Sequence, residues 1–158
     1  GYPMKDGKPD PDRRIANMAY YFYKLKNSPF TWDGERFDNL AGPICATGGS
    51  AIIETIKKKG AVLEESKQPP QCMMKLLKGR VATYVELEYI ADSHLSRGAE
   101  KFRDIVKIPV PIRSKPYYLM LSHEFIRKNP DLAGRIWDEI AKIRESDEFK
   151  EIVKKYIQ

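Results

Sequence analysis

Between Pro43 and Arg97 the chain switches repeatedly between residues that suit a strand and residues that suit a helix. No other feature limits its fold as much. GPICA is a short apolar strand. From Ser50 to Lys59 the spacing becomes helical: Ile52, Ile53 and Ile56 form an apolar side, Glu54 pairs with Lys58 a turn later, and Gly60 ends the helix. AVLEE (61–65) returns to strand. Pro69 and Pro70 then open a helix through Lys78, with Met73, Met74, Leu76 and Leu77 inward and Gly79 as the stop. RVATYVELEYI reads as a strand with Val81, Thr83, Val85 and Leu87 on one face and Ala82, Tyr84, Glu86 and Glu88 on the other. A polar helix follows over 89–97. Strands alternating with helices imply an α/β fold, a sheet with helices on its faces.

The flanking segments extend this pattern. Residues 1–17 are polar and proline-rich and read as an irregular lead-in. Met18–Leu25 is aromatic and suits a strand, and 26–42 reads as a loop turning at Asp33-Gly34. Residues 104–112 and 115–125 are expected strands, the first pushed toward a sheet edge by Pro109 and Pro111. Asn129-Pro130 signals a helix start, and Leu132, Ala133, Ile136, Ile140 and Ile143 keep helical spacing after it. Ser146 caps a last helix that carries Phe149, Ile152, Val153 and Tyr156.

Composition excludes several classes. Hydrophobic residues are 42% of the 158, enough for a core, and no apolar run of about 18 residues is present. The opening GYPMKDGKPD resembles neither part of a secretion signal, as in a processed protein or a fragment. The net charge of +6 is scattered in short clusters such as Lys57-Lys58-Lys59, so no nucleic-acid partner is expected. Cys45, Cys72, His94 and His123 lack metal-ligand spacing, so neither metal nor cofactor is expected. The cysteines can pair in an oxidising compartment. Both lie in apolar segments, where the free buried thiol is the expected state.

Chemistry concentrates at ATGGSAIIE (46–54). Gly48 and Gly49 permit a tight turn and close approach of a ligand, and Ser50 can cap the following helix or point its hydroxyl outward. The free N–H groups of a helix start favour an anion. Locally, a plain cap and an anion site both remain open, and the turn matches no nucleotide-binding motif. Glu86 and Glu88 share a face of the expected strand, either solvated or together in a cleft. Ser122-His123-Glu124 are strand neighbours that point apart, so no catalytic set is assigned.

In their order these pieces resemble the type 2 periplasmic solute-binding proteins, family 3, which serve ABC transporters. PDRRIA (11–16) is similar to the family's T-P-E-R stretch, and MAYYFYKLKNS to its first crossing strand. FDNLAGPICATGGSAIIETIKKKG resembles L-x-G-K-x-V-G-V-x-x-G-T-T with its helix, and QCMMKLLKGRVATYVELE the helix and L-x-x-G-R-x-D-A strand. KPYYLMLSHEF resembles the return strand, and residues 129–156 the closing helices. The resemblance implies a lobe of that fold, a mixed sheet flanked by helices, with most of the first lobe absent: 1–17 its remnant, 18–116 the second lobe with the first crossing strand, 117–158 the return strand and closing helices. It favours the anion-site reading of the turn, where Gly49 and Ser50 match G-T and Ala51 stands at the third position. The implied ligand contacts are Thr47, Gly49, Ser50, Ala51, Glu86 and Glu88.

Leu87 stands where the family often has an aspartate for the ligand amine, with Glu86 or Glu88 as substitutes. The implied function is binding a small anionic or zwitterionic solute in an interlobe cleft, in the periplasm, with an ABC-transporter permease as partner and hinge strands near 18–25 and 115–122. An extracytoplasmic sensor domain and a dehydratase-like enzyme are the alternatives. A chain lacking its first lobe is expected to form a homodimer or swap segments.

Overall fold

The computed structural model describes residues 1–157. The chain forms two compact units, one of Gly1–Met18 and Lys115–Tyr156, the other with Ala19–Ser114 as its body.

The first unit begins with a hairpin of β1 (Met4–Lys5) and β2 (Lys8–Pro9) and a single 3-10 turn at Pro11–Arg13. The strand β3 (Ala16–Leu25) carries the chain into the second unit. There β4 (Thr31–Trp32) and β5 (Phe37–Asp38) form a small hairpin around Asp33-Gly34, where a loop was expected. The run continues through β6 (Ile44–Thr47), α1 (Ile53–Lys58), β7 (Leu63–Ser66), α2 (Pro69–Leu77), β8 (Thr83–Leu87), α3 (Glu88–Arg97), α4 (Ala99–Phe102) and β9 (Ile105–Lys107). The strand β10 (Arg113–Tyr117) leads back, and α5 (His123–Lys128), α6 (Pro130–Glu145) and α7 (Asp147–Ile157) complete the first unit.

The main sheet has the order β10-β3-β8-β6-β7, with β9 also against β3. It is mixed: β6 is parallel to β7 and β8, and β3 is antiparallel to β8 and β9. Alternation along the strands builds a core on each face. Ala46 and Val85 face a cluster closed by Ile52, Ile53 and Ile56 beside α1. Cys45 and Tyr84 face the opposite cluster, closed by Cys72, Met73 and Leu76 of α2 and Ala91 of α3. β8 is therefore buried on both faces, as a central strand must be.

Several expectations need correction. Cys45 and Cys72 are joined as a disulfide, their Cα atoms 5.6 Å apart. Cys45 points to the face that α2 covers, and Cys72 lies on the inward side of α2. Ser50 does not cap α1. The helix starts at Ile53, after turn residues, and its N-cap Ile52 makes no side-chain cap bond. Glu88 does not share a strand face with Glu86, because β8 ends at Leu87 and Glu88 is the first residue of α3.

The 104–112 strand stops at Lys107. Pro109 and Pro111 cannot donate to the ladder, and only Ile108 N and Ile112 N reach across, to Phe22 O and Tyr20 O at 2.9 and 2.8 Å. The expected strand over 115–125 is β10 followed by α5, whose N-cap Ser122 accepts from Phe125 N at 3.1 Å. His123 and Glu124 are thus helical, not strand neighbours. Asn129 does precede α6, but its side chain donates back to Phe125 O at 3.4 Å instead of capping forward. Ser146 does cap α7, accepting from Phe149 N at 3.2 Å. Of the residues expected on this last helix, the Tyr156 side chain lies outside what the structure describes.

In the first unit α6 buries Ala133 and Trp137, and the indole N–H donates to Leu119 O at 2.9 Å. Arg13 ion-pairs with Asp138 at 2.8 Å, and Arg144 donates to the carbonyls of Asp12 and Arg14. Among the described residues no helix is long and apolar enough to cross a membrane.

Candidate functional site

The topology marks one place in the second unit for a ligand. From β6 the chain moves outward through α1 to β7, then returns past β6 through α2 to β8. Right-handed crossovers in opposite directions put α1 and α2 on opposite faces, as the two cores show. The loops that leave the carboxyl ends of β6 and β8 therefore part, one to each face. Such a divergence leaves a crevice above the strand ends, where open α/β sheets hold their ligands.

Polar side chains converge there. Thr47, the last residue of β6, donates from Oγ1 to Glu86 Oε2 at 2.6 Å. Tyr84 donates its phenol proton to the same oxygen at 3.1 Å, and Leu87 N donates to Oε1 at 2.9 Å. Glu86 is 3% exposed, so its carboxylate lies in the top of the core. On the other face Ser50 Oγ donates to the Tyr20 hydroxyl at 3.3 Å. Tyr20 is opposite Leu87 in the β3–β8 ladder, which brings β3 to the same strand ends. The turn between is held by Gly48 N to Ser66 O at 2.8 Å and Ser50 N to Thr47 O at 3.1 Å. Gly49 takes φ +77°, and nothing lies within 4 Å of where its Cβ would be, so the turn has open space above it.

A charged cluster lies beside Glu86. Lys107 Nζ bonds Glu88 Oε1 at 2.6 Å and Asp92 Oδ2 at 2.7 Å, and lies 5.3 Å from the centre of the Tyr21 ring. Tyr23 donates to Asp92 Oδ1 at 2.8 Å. Burial alone would lower the Lys107 pKa, but the bonds to Asp92 and Glu88 override it and hold the ammonium above its ordinary value. Burial raises the Tyr84 phenol, and the Glu86 charge raises it further. Arg113 Nη1 donates to Ala51 O at 3.2 Å, tying the far side of the turn to β10.

No protein-family model matches the sequence, and no curated protein matches it. Solved structures do. The GluR0 ligand-binding core in complex with L-glutamate aligns over 92% of this chain with a TM-score of 0.71 at 11% identity. A second substrate-binding domain of a putative amino-acid ABC transporter from Streptococcus pneumoniae aligns over 92% with a TM-score of 0.62 at 16% identity. The arginine-binding protein of T. maritima in its holo form aligns over 89% with a TM-score of 0.58 at 18% identity. This is the type 2 periplasmic binding-protein fold. The chain spans 62%, 63% and 59% of those three structures, so it carries part of that fold.

Within this binding-protein fold, Thr47, Gly49, Ser50 and Glu86 come together at the strand ends, with Ala51 held by Arg113. Glu88 lies apart from them, occupied by Lys107. Tyr20, Tyr84, Lys107, Asp92 and Arg113 were not anticipated at the site. Tyr84 was readable, since it alternates with Glu86 along one strand face. Tyr20 was not, because its place depends on the β3–β8 register. Among the described residues no His, Cys, Asp and Glu group suited to a metal ion is present.

Proposed function

We propose that the second unit binds a small amino-acid-like solute at the carboxyl ends of β6 and β8, as part of an extracytoplasmic solute-binding protein that delivers its ligand to an ABC-transporter permease. The observation that carries this is the convergence of Thr47, the Gly49-Ser50 turn, Tyr20 and Glu86 at the point where the chain direction reverses. The fold's relatives support it: the solved structures include a glutamate complex and an ancestral arginine-binding protein bound to arginine. The disulfide supports a place outside the reducing cytoplasm, which the proposal takes to be the periplasm. On this reading 18–116 is the second lobe, 1–17 a remnant of the first, and 117–158 the return strand and closing helices. A further lobe then covers the ligand, and the ligand carboxylate meets the turn at Gly49, Ser50 and Ala51.

Binding is favoured over catalysis by the state of Glu86. Its oxygens already accept from Thr47, Tyr84 and Leu87, which leaves it poorly set to exchange a proton with a substrate. One solved relative is an ancestral amino-acid-binding protein that is a precursor of cyclohexadienyl dehydratase, so the fold is compatible with both. Titration calorimetry of the full-length protein against amino acids and small organic acids tests the proposal. Saturable heat with at least one of them is expected, weakened about tenfold or more by Ser50→Val, which removes a hydrogen-bonding group from the site. No heat with any of them overturns it.

A further inference from the structure

Arg113 is a cation without an anion. Its Nη1 donates to Ala51 O at 3.2 Å and to Thr55 Oγ1 at 3.5 Å, and its guanidinium makes no other bond among the described residues. Both acceptors are neutral. A guanidinium carries its N–H donors in a rigid planar fork. With Nη1 occupied, the Nε and Nη2 edge stays open, and that side-on edge matches a carboxylate. Arg113 is half-buried, so solvent screens its charge only in part. The acids of the site are engaged elsewhere. Glu86 accepts from Thr47, Tyr84 and Leu87, and Glu88 and Asp92 hold Lys107. Glu54, next to Thr55 on α1, is exposed and forms no ion pair with Arg113 among the described residues. The strand places this cation at the ligand turn. Ile112 N donates to Tyr20 O at 2.8 Å, and the Tyr20 hydroxyl accepts from Ser50. Arg113, one residue on, reaches Ala51, which is exposed directly after Ser50. All of these residues belong to the second unit.

Resting on the binding site proposed above, we infer that Arg113 determines specificity by pairing its open edge with a second anionic group of the ligand, beyond the carboxylate at the turn. The substrate class is then acidic amino acids and related dicarboxylates. The turn offers the Ser50 hydroxyl and backbone N–H groups to one carboxylate. The fork of Arg113 stands beside it with separate donors in fixed geometry. A neutral amide at that point brings its own N–H donors against those of the guanidinium and leaves one of them unpaired. A cationic group there meets a like charge.

The test is calorimetry of the full-length protein with glutamate against glutamine and aspartate against asparagine. Each pair differs by one charge at nearly constant shape. Wild type should bind the acidic member of at least one pair tighter, by about tenfold or more, and added salt should narrow the gap. Arg113→Gln removes the charge while keeping an N–H donor, so the ratio should fall toward one. Arg113→Lys keeps the charge without the fork and should retain part of the preference. Thr55→Val leaves the cation in place and should leave the ratio intact. An arginine that only straps the turn would, when replaced, weaken both members of a pair equally. Should Arg113→Gln not fold, Arg113→Lys decides: a reduced ratio supports the inference and an unchanged one overturns it. An unchanged ratio in Arg113→Gln, equal weakening of both members, or wild-type binding of other solutes but of neither acid overturns the inference while the binding function stands. No binding of any amino acid or small organic acid by wild type overturns both.

Discussion

Tyr23 and Tyr84 are fully buried phenols that bond to carboxylates, Asp92 and Glu86. Burial is the main reason each holds its proton far above the ordinary phenol range, and the carboxylates add to it. Lys107 is raised too, by Asp92 and Glu88 against the effect of burial. All three have folded-state values above their unfolded ones. Their contributions are therefore complete below the unfolded values, about 10 for both residue types, and are lost as pH rises beyond that. Melting temperature should hold steady through neutral pH and fall from about pH 10 upward. Tyr23→Phe should cost about 1 kcal/mol at neutral pH and flatten the alkaline fall. Calorimetric melts of both proteins over the range check this, and parallel curves would contradict it. Gly49 is the residue whose role was most legible in the sequence, because φ +77° is a backbone need that one letter announces. Of the two roles open to Ser50, the cap falls away: the glycine turn runs on to Ile52, so its hydroxyl lies beside Tyr20 rather than over α1.

At the scale of elements, the disulfide fastens β6 to α2 across a separation of 27 residues. Closing a loop of that size removes chain entropy from the unfolded state, about 3–4 kcal/mol. The Cys45→Ala, Cys72→Ala double variant should melt about 5–15 °C lower, as circular dichroism can measure. The native bond should resist mild reductant until the chain unfolds, since both cysteines are fully buried. Intact-mass analysis after alkylation, with and without urea, checks that. The order of β6, α1, β7, α2 and β8 was readable because their residues carry strong local periods. The disulfide was not, since neither cysteine's inward direction is known until the faces of β6 and α2 are. The stop of β9 was half-legible: Pro109 and Pro111 announced an edge, but not that Ile108 and Ile112 would keep bonding to β3.

At the scale of the whole molecule, the first unit exposes apolar surface along α6 and α7. Ile143 and Ile152 are 54% and 43% exposed and, with Lys142, Ser146, Glu148 and Phe149, line a hollow of about 450 Å³. Apolar surface of this kind is suited to burial against another protein surface. Prepared as these 158 residues alone, the protein should self-associate with rising concentration. Ile143→Glu with Ile152→Lys should shift it toward monomer. Sedimentation velocity checks both, and a clean monomer at every concentration would contradict the expectation.

The division between sequence and structure follows from the range of the forces. Helix periods, turn glycines, proline stops and the α/β class are written in neighbours a few residues apart, and the sequence was enough for them. It also carried the order of motifs that resembled a binding-protein lobe. Which strands lie side by side, that Glu86 sinks into the core while Glu88 turns away on α3, that Thr47 and Tyr84 meet on one carboxylate and that Cys45 meets Cys72 all required the folded chain. Those contacts join residues remote in sequence, and a shift of one residue in strand register would send each side chain to the opposite face.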